Sequence, residues 1–181
     1  MPSPIEKQQP QRDTTAKLAD QQTFLSLIDV YQRLLLKVCW AYTRTSHDRD
    51  DLFQEIVVRL WTAFGSYDRQ RTFSTWMYRV ALNVAIDFRR RRQRRGTESR
   101  SLENTPDPAS PQDESKQEQL RELHELLERQ NEADRALLLL SLEGNSYREI
   151  AEVIGISESN VGTRLNRLRK SLRQSVQSSQ S

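Results

Sequence analysis

The chain is poor in the residues that build small reactive centres. It has one cysteine, two histidines and five glycines in 181 residues. A lone thiol, Cys39, excludes a disulfide within the chain and reads as a packed core group. His47 and His124 lie too far apart in sequence for a zinc-binding spacing, so neither metal nor cofactor is expected. No catalytic triad and no glycine-rich phosphate loop is present, so an enzyme is not expected. No apolar run approaches the length needed to cross a bilayer. The N-terminus is polar and rich in glutamine and proline, unlike a signal peptide. These absences together lead to the expectation of a cytoplasmic protein without membrane insertion. Scarce glycine beside long helix-patterned stretches points to an all-α fold.

The charge is modest in sum but uneven. The net charge is +3. Residues 79–95 hold seven arginines against one acid, Asp87. Residues 96–135 hold eleven acids and five bases, and residues 144–173 hold six bases and three acids. Two basic blocks thus flank an acidic one. Basic blocks attract polyanions, and nucleic acid is the commonest partner for such a pattern. Two solvated helix faces would give the same charge pattern.

Hydrophobic spacing divides the chain. Residues 1–20 are expected to be a disordered tail. Phe24, Ile28, Tyr31, Leu35, Val38 and Tyr42 mark one long helix to about residue 43. A polar break at 45–49 precedes a second helix, about 50–64, which Gly65 ends. A loop carrying Tyr67 leads to a third helix, about 73–92. These three helices, within residues 21–95, can share one core. Residues 96–113 have a linker composition, acidic and proline-rich. A second small helical domain is expected over 114–174, with a tail at 175–181. In it, Asn131 caps the helix whose Leu137–Leu140 and Leu142 are expected to be buried.

The sharpest local signal is SYREIAEVIGISESNVGTRLNRLRKSL, residues 146–172. Ser146 caps a short helix, Gly155 supplies the left-handed residue of a tight turn, and Ser157 caps the next helix. Ala151 is small enough for the two helices to approach. Val161, Leu165, Leu168 and Leu172 form the buried stripe of the second. This is the pattern of a helix-turn-helix. Rotation at about 100° per residue puts Ser159, Thr163, Asn166, Arg167 and Lys170 on the opposite face, flanked by Asn160 and Arg164. Such side chains bond base edges and phosphates in a major groove. An αα-hairpin with a basic exposed face would share the pattern. The motif does not distinguish a repressor or activator from a polymerase subunit.

The N-terminal half narrows the choice. DRDDLFQEIVVRLWTAF resembles region two of the sigma-70 family in its extracytoplasmic function branch, through Asp51, Leu52, Gln54, Glu55, Arg59, Leu60 and Trp61. FSTWMYRVALNVAIDFRRRR is similar to the family's next helix, through Phe73, Thr75, Trp76, Tyr78, Arg79, Asn83, Asp87 and Arg89–Arg92. The helix-turn-helix is similar to region four. The resemblance covers roughly residues 24–172 and implies two helical domains joined by a flexible acidic linker. It implies a subunit that binds core RNA polymerase, recognises the minus-thirty-five and minus-ten promoter elements and promotes DNA opening. By the resemblance, Asp51, Gln54, Glu55 and Arg59 dock on the clamp helices of the largest polymerase subunit, and the flap is a second polymerase contact. Tyr67, Phe73 and Trp76 would supply rings, and Asn83 an edge contact, for a flipped base of the minus-ten element. Phe73 and Trp76 read equally as core. Arg89, Arg90, Arg91 and Arg92 would hold phosphates. Ser159, Asn160, Thr163, Arg164, Asn166, Arg167 and Lys170 would read the minus-thirty-five element. The linker acids Glu98, Glu103, Asp107, Asp113 and Glu114 would suit basic polymerase channels, although a plain tether reads as well. The free subunit would be a monomer, and the family is often restrained by an anti-sigma factor. The alternative is a stand-alone helix-turn-helix repressor or activator, which would bind a palindrome as a dimer.

Two departures from the family stand out. A Leu-Pro that usually precedes the helix near residue 132 is replaced by Arg129, Gln130 and Asn131. Gly162 stands inside the recognition helix where the family usually has Lys or Arg. Glycine there costs roughly 1 kcal/mol of helix stability relative to alanine and removes a potential DNA contact.

Overall fold

The computed structural model describes the backbone of residues 9–95 and 114–179 and the side chains of 20–95 and 118–174. Among the described residues there are seven helices and no strand. They are α1 (Gln9–Tyr42), α2 (Ser46–Phe64), α3 (Phe73–Arg94), α4 (Glu114–Glu128), α5 (Glu132–Leu142), α6 (Tyr147–Ile154) and α7 (Glu158–Ser179). No helix among them is long and apolar enough to cross a membrane. The linker acids at positions 98, 103, 107 and 113 lie outside the described residues, as does the side chain of Glu114.

Helix ends differ from the sequence expectation where local chemistry favours more helix. α1 begins at Gln9, inside the segment expected to be a tail. Pro10 falls in its first turn, where a missing N–H is harmless, and Ala16, Lys17 and Leu18 are good helix formers. α2 begins before residue 50 because the Thr45 side chain accepts from the Asp48 N–H at 3.1 Å. Gly65 does cap α2, but with φ −63°, so no left-handed turn forms there. α7 continues to Ser179, through the segment expected to be a tail. Asn131 caps α5 as expected, accepting from the Asp134 N–H at 2.9 Å.

α1, α2 and α3 share one core. Leu35, Val38, Cys39, Leu52, Ile56, Leu60, Met77, Ala81 and Ala85 are sealed within it. Burial pushes the Cys39 thiol up to about 12. The neutral thiol is therefore favoured by folding. That contribution is full below the ordinary thiol range and is lost as pH rises towards 12. Cys39 should react with iodoacetamide no faster than the chain unfolds. Rapid labelling of the native protein would show that the thiol is accessible.

The second unit is α4 to α7, and α5 is its axle. α4, α6 and α7 surround α5, and α1 of the first half packs on it as well. This explains why Leu137, Leu138, Leu139 and Leu140, which point in all directions around a helix, are all buried. Leu142, expected in the core, lies at the far end of α5 and is 61% exposed.

The two halves also pack on each other, α3 against α6 and α1 against α4 and α5, and their apolar residues join one core, while polar groups close the helix ends on the α1 side. An α-helix leaves its last carbonyls without internal partners. At the end of α1, Cys39 O is taken by the Thr43 hydroxyl at 2.8 Å. Trp40 O and Thr43 O lie 3.1 and 2.9 Å from His124 Nε2 on α4. Ala41 O accepts from Arg135 Nη1 on α5 at 3.0 Å. The same guanidinium donates to Leu127 O at 2.9 Å and Glu128 O at 3.0 Å, at the end of α4. Arg135 is 1% exposed and lies over the Tyr42 ring. One buried cation thus closes the C-termini of two helices from different halves, where the helix dipoles favour positive charge.

Candidate nucleic-acid and polymerase interfaces

The helix-turn-helix is built by α6 and α7. Ser146 and Glu149 form a reciprocal capping box: the Ser146 hydroxyl accepts from the Glu149 N–H, and Glu149 Oε2 accepts from the Ser146 N–H at 2.7 Å. The Ser146 hydroxyl and N–H hold the Glu149 carboxyl below its ordinary range. Its stabilising contribution is therefore lost as pH falls through that lowered value. Gly155 takes φ +80°, which turns the chain sharply between the helices. The Ser157 hydroxyl accepts from the Asn160 N–H at 3.3 Å and starts α7. Ile150, Ala151, Val161, Leu165 and Leu168 are buried beneath.

The face of α7 expected to read DNA is open. Ser159, Asn160, Thr163, Asn166, Arg167 and Lys170 are all exposed. Thr163 already spends its hydroxyl proton on Ser159 O at 2.9 Å. Arg164 is placed differently. Its Nη2 lies 2.6 Å from Asp134 Oδ1, a buried carboxylate that also accepts from Asn131. Arg164 therefore ties α7 to α5.

Gly162 has a structural explanation in Tyr147. A Cβ at Gly162 would lie 3.3 Å from Tyr147 Cε2. The Tyr147 ring, from the first turn of α6, fills the place where a side chain would leave α7. Gly162 itself has no positive φ, so the backbone does not demand glycine. Tyr147 is 40% exposed, and its hydroxyl is held only by a long 3.5 Å approach from Arg169. The ring is thus free to retreat by the few tenths of an ångström that a methyl group requires. Gly162→Ala is expected to stabilise the chain by about 0.5 kcal/mol, the helix preference of alanine less the cost of moving the ring. Urea denaturation checks this, and a net loss would mean that the ring cannot move.

α3 presents a second surface. Trp76, Arg79, Asn83, Asp87 and Arg90 recur at intervals of three and four, so they form one stripe about 21 Å long. Asn83 is exposed on it, and the apolar residues around it in sequence face elsewhere. Its polarity therefore carries no burial cost. Tyr67 and Trp76 are half-buried with rings 5.0 Å apart at the head of the stripe. The Tyr67 hydroxyl donates to Arg71 O and holds the loop. Phe73 is 7% exposed and packs on Tyr31, Tyr67 and Trp76. It backs the ring pair and has no open face for a base.

The arginine block is more engaged than its sequence suggests. Arg90 bonds Glu132 of α5 through two nitrogens at 3.0 and 2.7 Å. Arg91 grips both oxygens of Glu55 at 2.6 and 2.7 Å. Arg92 pairs with Asp48 at 2.8 Å, and Arg89 is half-buried. On α2, Asp51, Gln54 and Arg59 are exposed, and Glu55 is half-buried beside them. Val58, 64% exposed on the same face, lies off the apolar stripe but was not named among the candidate docking residues. Its position one turn from Gln54 and Glu55 is the signal that places it there. Among the described residues no cluster of three or more potential ligands could hold a metal ion.

The two halves correspond to two family models. Residues 27–95 match sigma-70 region 2, and residues 120–172 match sigma-70 region 4. The RNA polymerase sigma factor NccH of Alcaligenes xylosoxydans xylosoxydans is 31% identical over 172 residues, covering 91% of this chain and 92% of NccH. The chain belongs to the sigma-70 family. Similarity to the ECF RNA polymerase sigma factor SigW of Bacillus subtilis (strain 168), 27% identical over 88% of this chain and 92% of that protein, places it in the extracytoplasmic function branch. The fold also matches CnrH, solved in complex with the cytosolic domain of CnrY, with TM-score 0.67 and 22% identity over 87% of this chain and 90% of that one. It matches the sigma factor RpoE of Bartonella quintana, solved with the anti-sigma factor NepR, with TM-score 0.68 and 18% identity over 86% of this chain and 98% of that one. This sigma factor acts with RNA polymerase in promoter-specific transcription initiation.

Proposed function

We propose that the sigma factor divides promoter recognition between α7 and α3 and docks on core polymerase through α2. Residues 21–95 would act as region two and residues 114–174 as region four. Ser159, Asn160, Thr163, Asn166, Arg167 and Lys170 face the minus-thirty-five element. Asn83, with Tyr67 and Trp76, receives the flipped base of the minus-ten element. Arg89, and Arg90, Arg91 and Arg92 once their acidic partners are displaced, hold phosphates. Arg164 and Phe73 support these surfaces from behind. Asp51, Gln54, Glu55 and Arg59, with Val58 among them, meet the polymerase clamp, and the flap takes the second domain.

The observation that carries this reading is the coincidence of two separate exposed polar faces, one on each half, with an exposed mixed face on α2. The chain has no chemistry of its own in this reading, works in the cytoplasm beside polymerase, and is monomeric when free. An anti-sigma factor is a partner suggested by the complexes of CnrH and RpoE. The experiment is transcription with purified chain and core polymerase. Promoter-specific transcripts that need both elements are expected. A chain that neither co-purifies with core nor directs specific starts would end the proposal.

A further inference from the structure

We propose that Glu55 and Arg91 form a relay between polymerase docking and DNA phosphate binding. In the free chain each neutralises the other, and polymerase contact at Glu55 releases Arg91 for a phosphate. The proposal rests on the assignment of α2 and α3 just given.

The pair bridges two faces with different tasks. Glu55 stands on α2 one turn from Asp51 and one turn from Arg59, on the face assigned to polymerase. Arg91 stands on α3 one turn beyond Asp87, beside the stripe that carries Asn83. The two helices pack on each other, and Arg91 Nη2 reaches both oxygens of Glu55, at 2.6 and 2.7 Å. The guanidinium also lies 5.9 Å from the centre of the Phe88 ring, which steadies it against α3. The Glu55 and Arg91 side chains are 40% and 46% exposed, so each can be met from outside. Asp48 and Arg92 make the contrast. They too pair α2 with α3, but the Asp48 side chain is only 9% exposed, and no outside cation can take it from Arg92.

Linkage gives the Glu55 pair its effect. A polymerase cation that takes Glu55 must break the pair. A phosphate that takes Arg91 must do the same or bind beside a carboxylate. Glu55 engages Nη2 alone, so other guanidinium donors can still approach a phosphate, but the carboxylate charge opposes it. Once one ligand has parted the pair, the second meets no competitor. Each ligand therefore strengthens the other's binding by the same factor. A half-exposed ion pair is weak, so that factor is about 2- to 5-fold.

Two double-mutant cycles on the full-length chain test the relay, with Glu55→Gln, Arg91→Gln and the double variant. The first measures affinity for core polymerase without DNA. Arg91→Gln should tighten core binding by about 2- to 5-fold, because Glu55 no longer has a pair to break. Glu55→Gln should weaken it, and adding Arg91→Gln to Glu55→Gln should then change nothing. The second cycle measures affinity of the free chain for a short single-stranded DNA. Glu55→Gln should tighten this binding by about 2- to 5-fold, because Arg91 is released without polymerase. That gain should vanish when Arg91→Gln is already present. Core binding that Arg91→Gln leaves unchanged or weakens overturns the relay. So does a gain in DNA affinity from Glu55→Gln that is equal with and without Arg91→Gln, since net charge alone would then explain it. Failure of the wild type to bind core and direct specific transcription would instead overturn the assignment of α2 and α3, whatever the cycles show.

Discussion

Arg135→Ala is expected to lower the stability of the folded chain by about 4 kcal/mol. The guanidinium makes three hydrogen bonds to backbone carbonyls, at 2.9, 3.0 and 3.0 Å. Bonds to a charged donor are each worth about 1.5–3 kcal/mol, and a carbonyl left buried without a partner bears its full desolvation penalty. The truncation also leaves a void over the Tyr42 ring. Arg135→Lys should recover only part of the loss, because an ammonium cannot reach three acceptors held by two helix ends. Denaturant unfolding of the full chain measures both variants. A loss under about 1 kcal/mol for alanine would mean that water satisfies these carbonyls and that Arg135 is not what closes the helix ends.

Arg167→Ala should weaken use of the minus-thirty-five element by about 1–3 kcal/mol, roughly 5- to 150-fold, if the fork makes a bidentate base contact. Arg167 is exposed, with no side-chain partner among the described residues, so the fork is available. Arg164 serves as the internal contrast, since Asp134 already holds it. Arg167→Ala should relax base preference at one or two positions of the element while leaving unfolding unchanged. Arg164→Ala should lower stability and weaken all upstream sequences alike. These are read from transcription on promoters with single base changes, alongside urea midpoints. If Arg167→Ala leaves every base preference intact, Arg167 contacts the backbone or nothing. Lys170→Ala, by comparison, should reduce the salt dependence of binding by about one unit of slope if Lys170 meets a phosphate.

The parts of this molecule governed by short-range chemistry were legible in its sequence. Ser146, Glu149, Gly155 and Ser157 act on neighbours within a few residues, so capping and turn rules locate α6 and α7 directly. Apolar spacing likewise located the face of α1 that enters the first core, through Phe24, Leu35, Val38 and Tyr42. The helix limits were less legible, because Thr45 caps where a polar break was expected and α1 extends to Gln9. The least legible residues were those whose partners are distant. Arg135 and Ala41 lie 94 residues apart in sequence, and no local pattern separates a buried arginine from a solvated one. The same holds for Arg164, whose place on a helical wheel suits DNA but whose carboxylate partner sits 30 residues earlier. Phe73 and Trp76 differ by one turn of the wheel, and only the packing of Tyr31 decided which was core.

The contact between Gly162 and Tyr147 makes two positions on different helices behave as one heritable unit. With the ring 3.3 Å from where a Cβ would stand, every side chain at 162 must displace it, by a few tenths of an ångström for alanine and by more for a larger residue. A long basic residue there is accommodated more easily once position 147 has yielded its ring. Libraries randomised at 162 alone should therefore return small residues, whereas libraries randomised at both should return paired solutions. Promoter preference along this edge of the recognition helix would then change in steps of two substitutions.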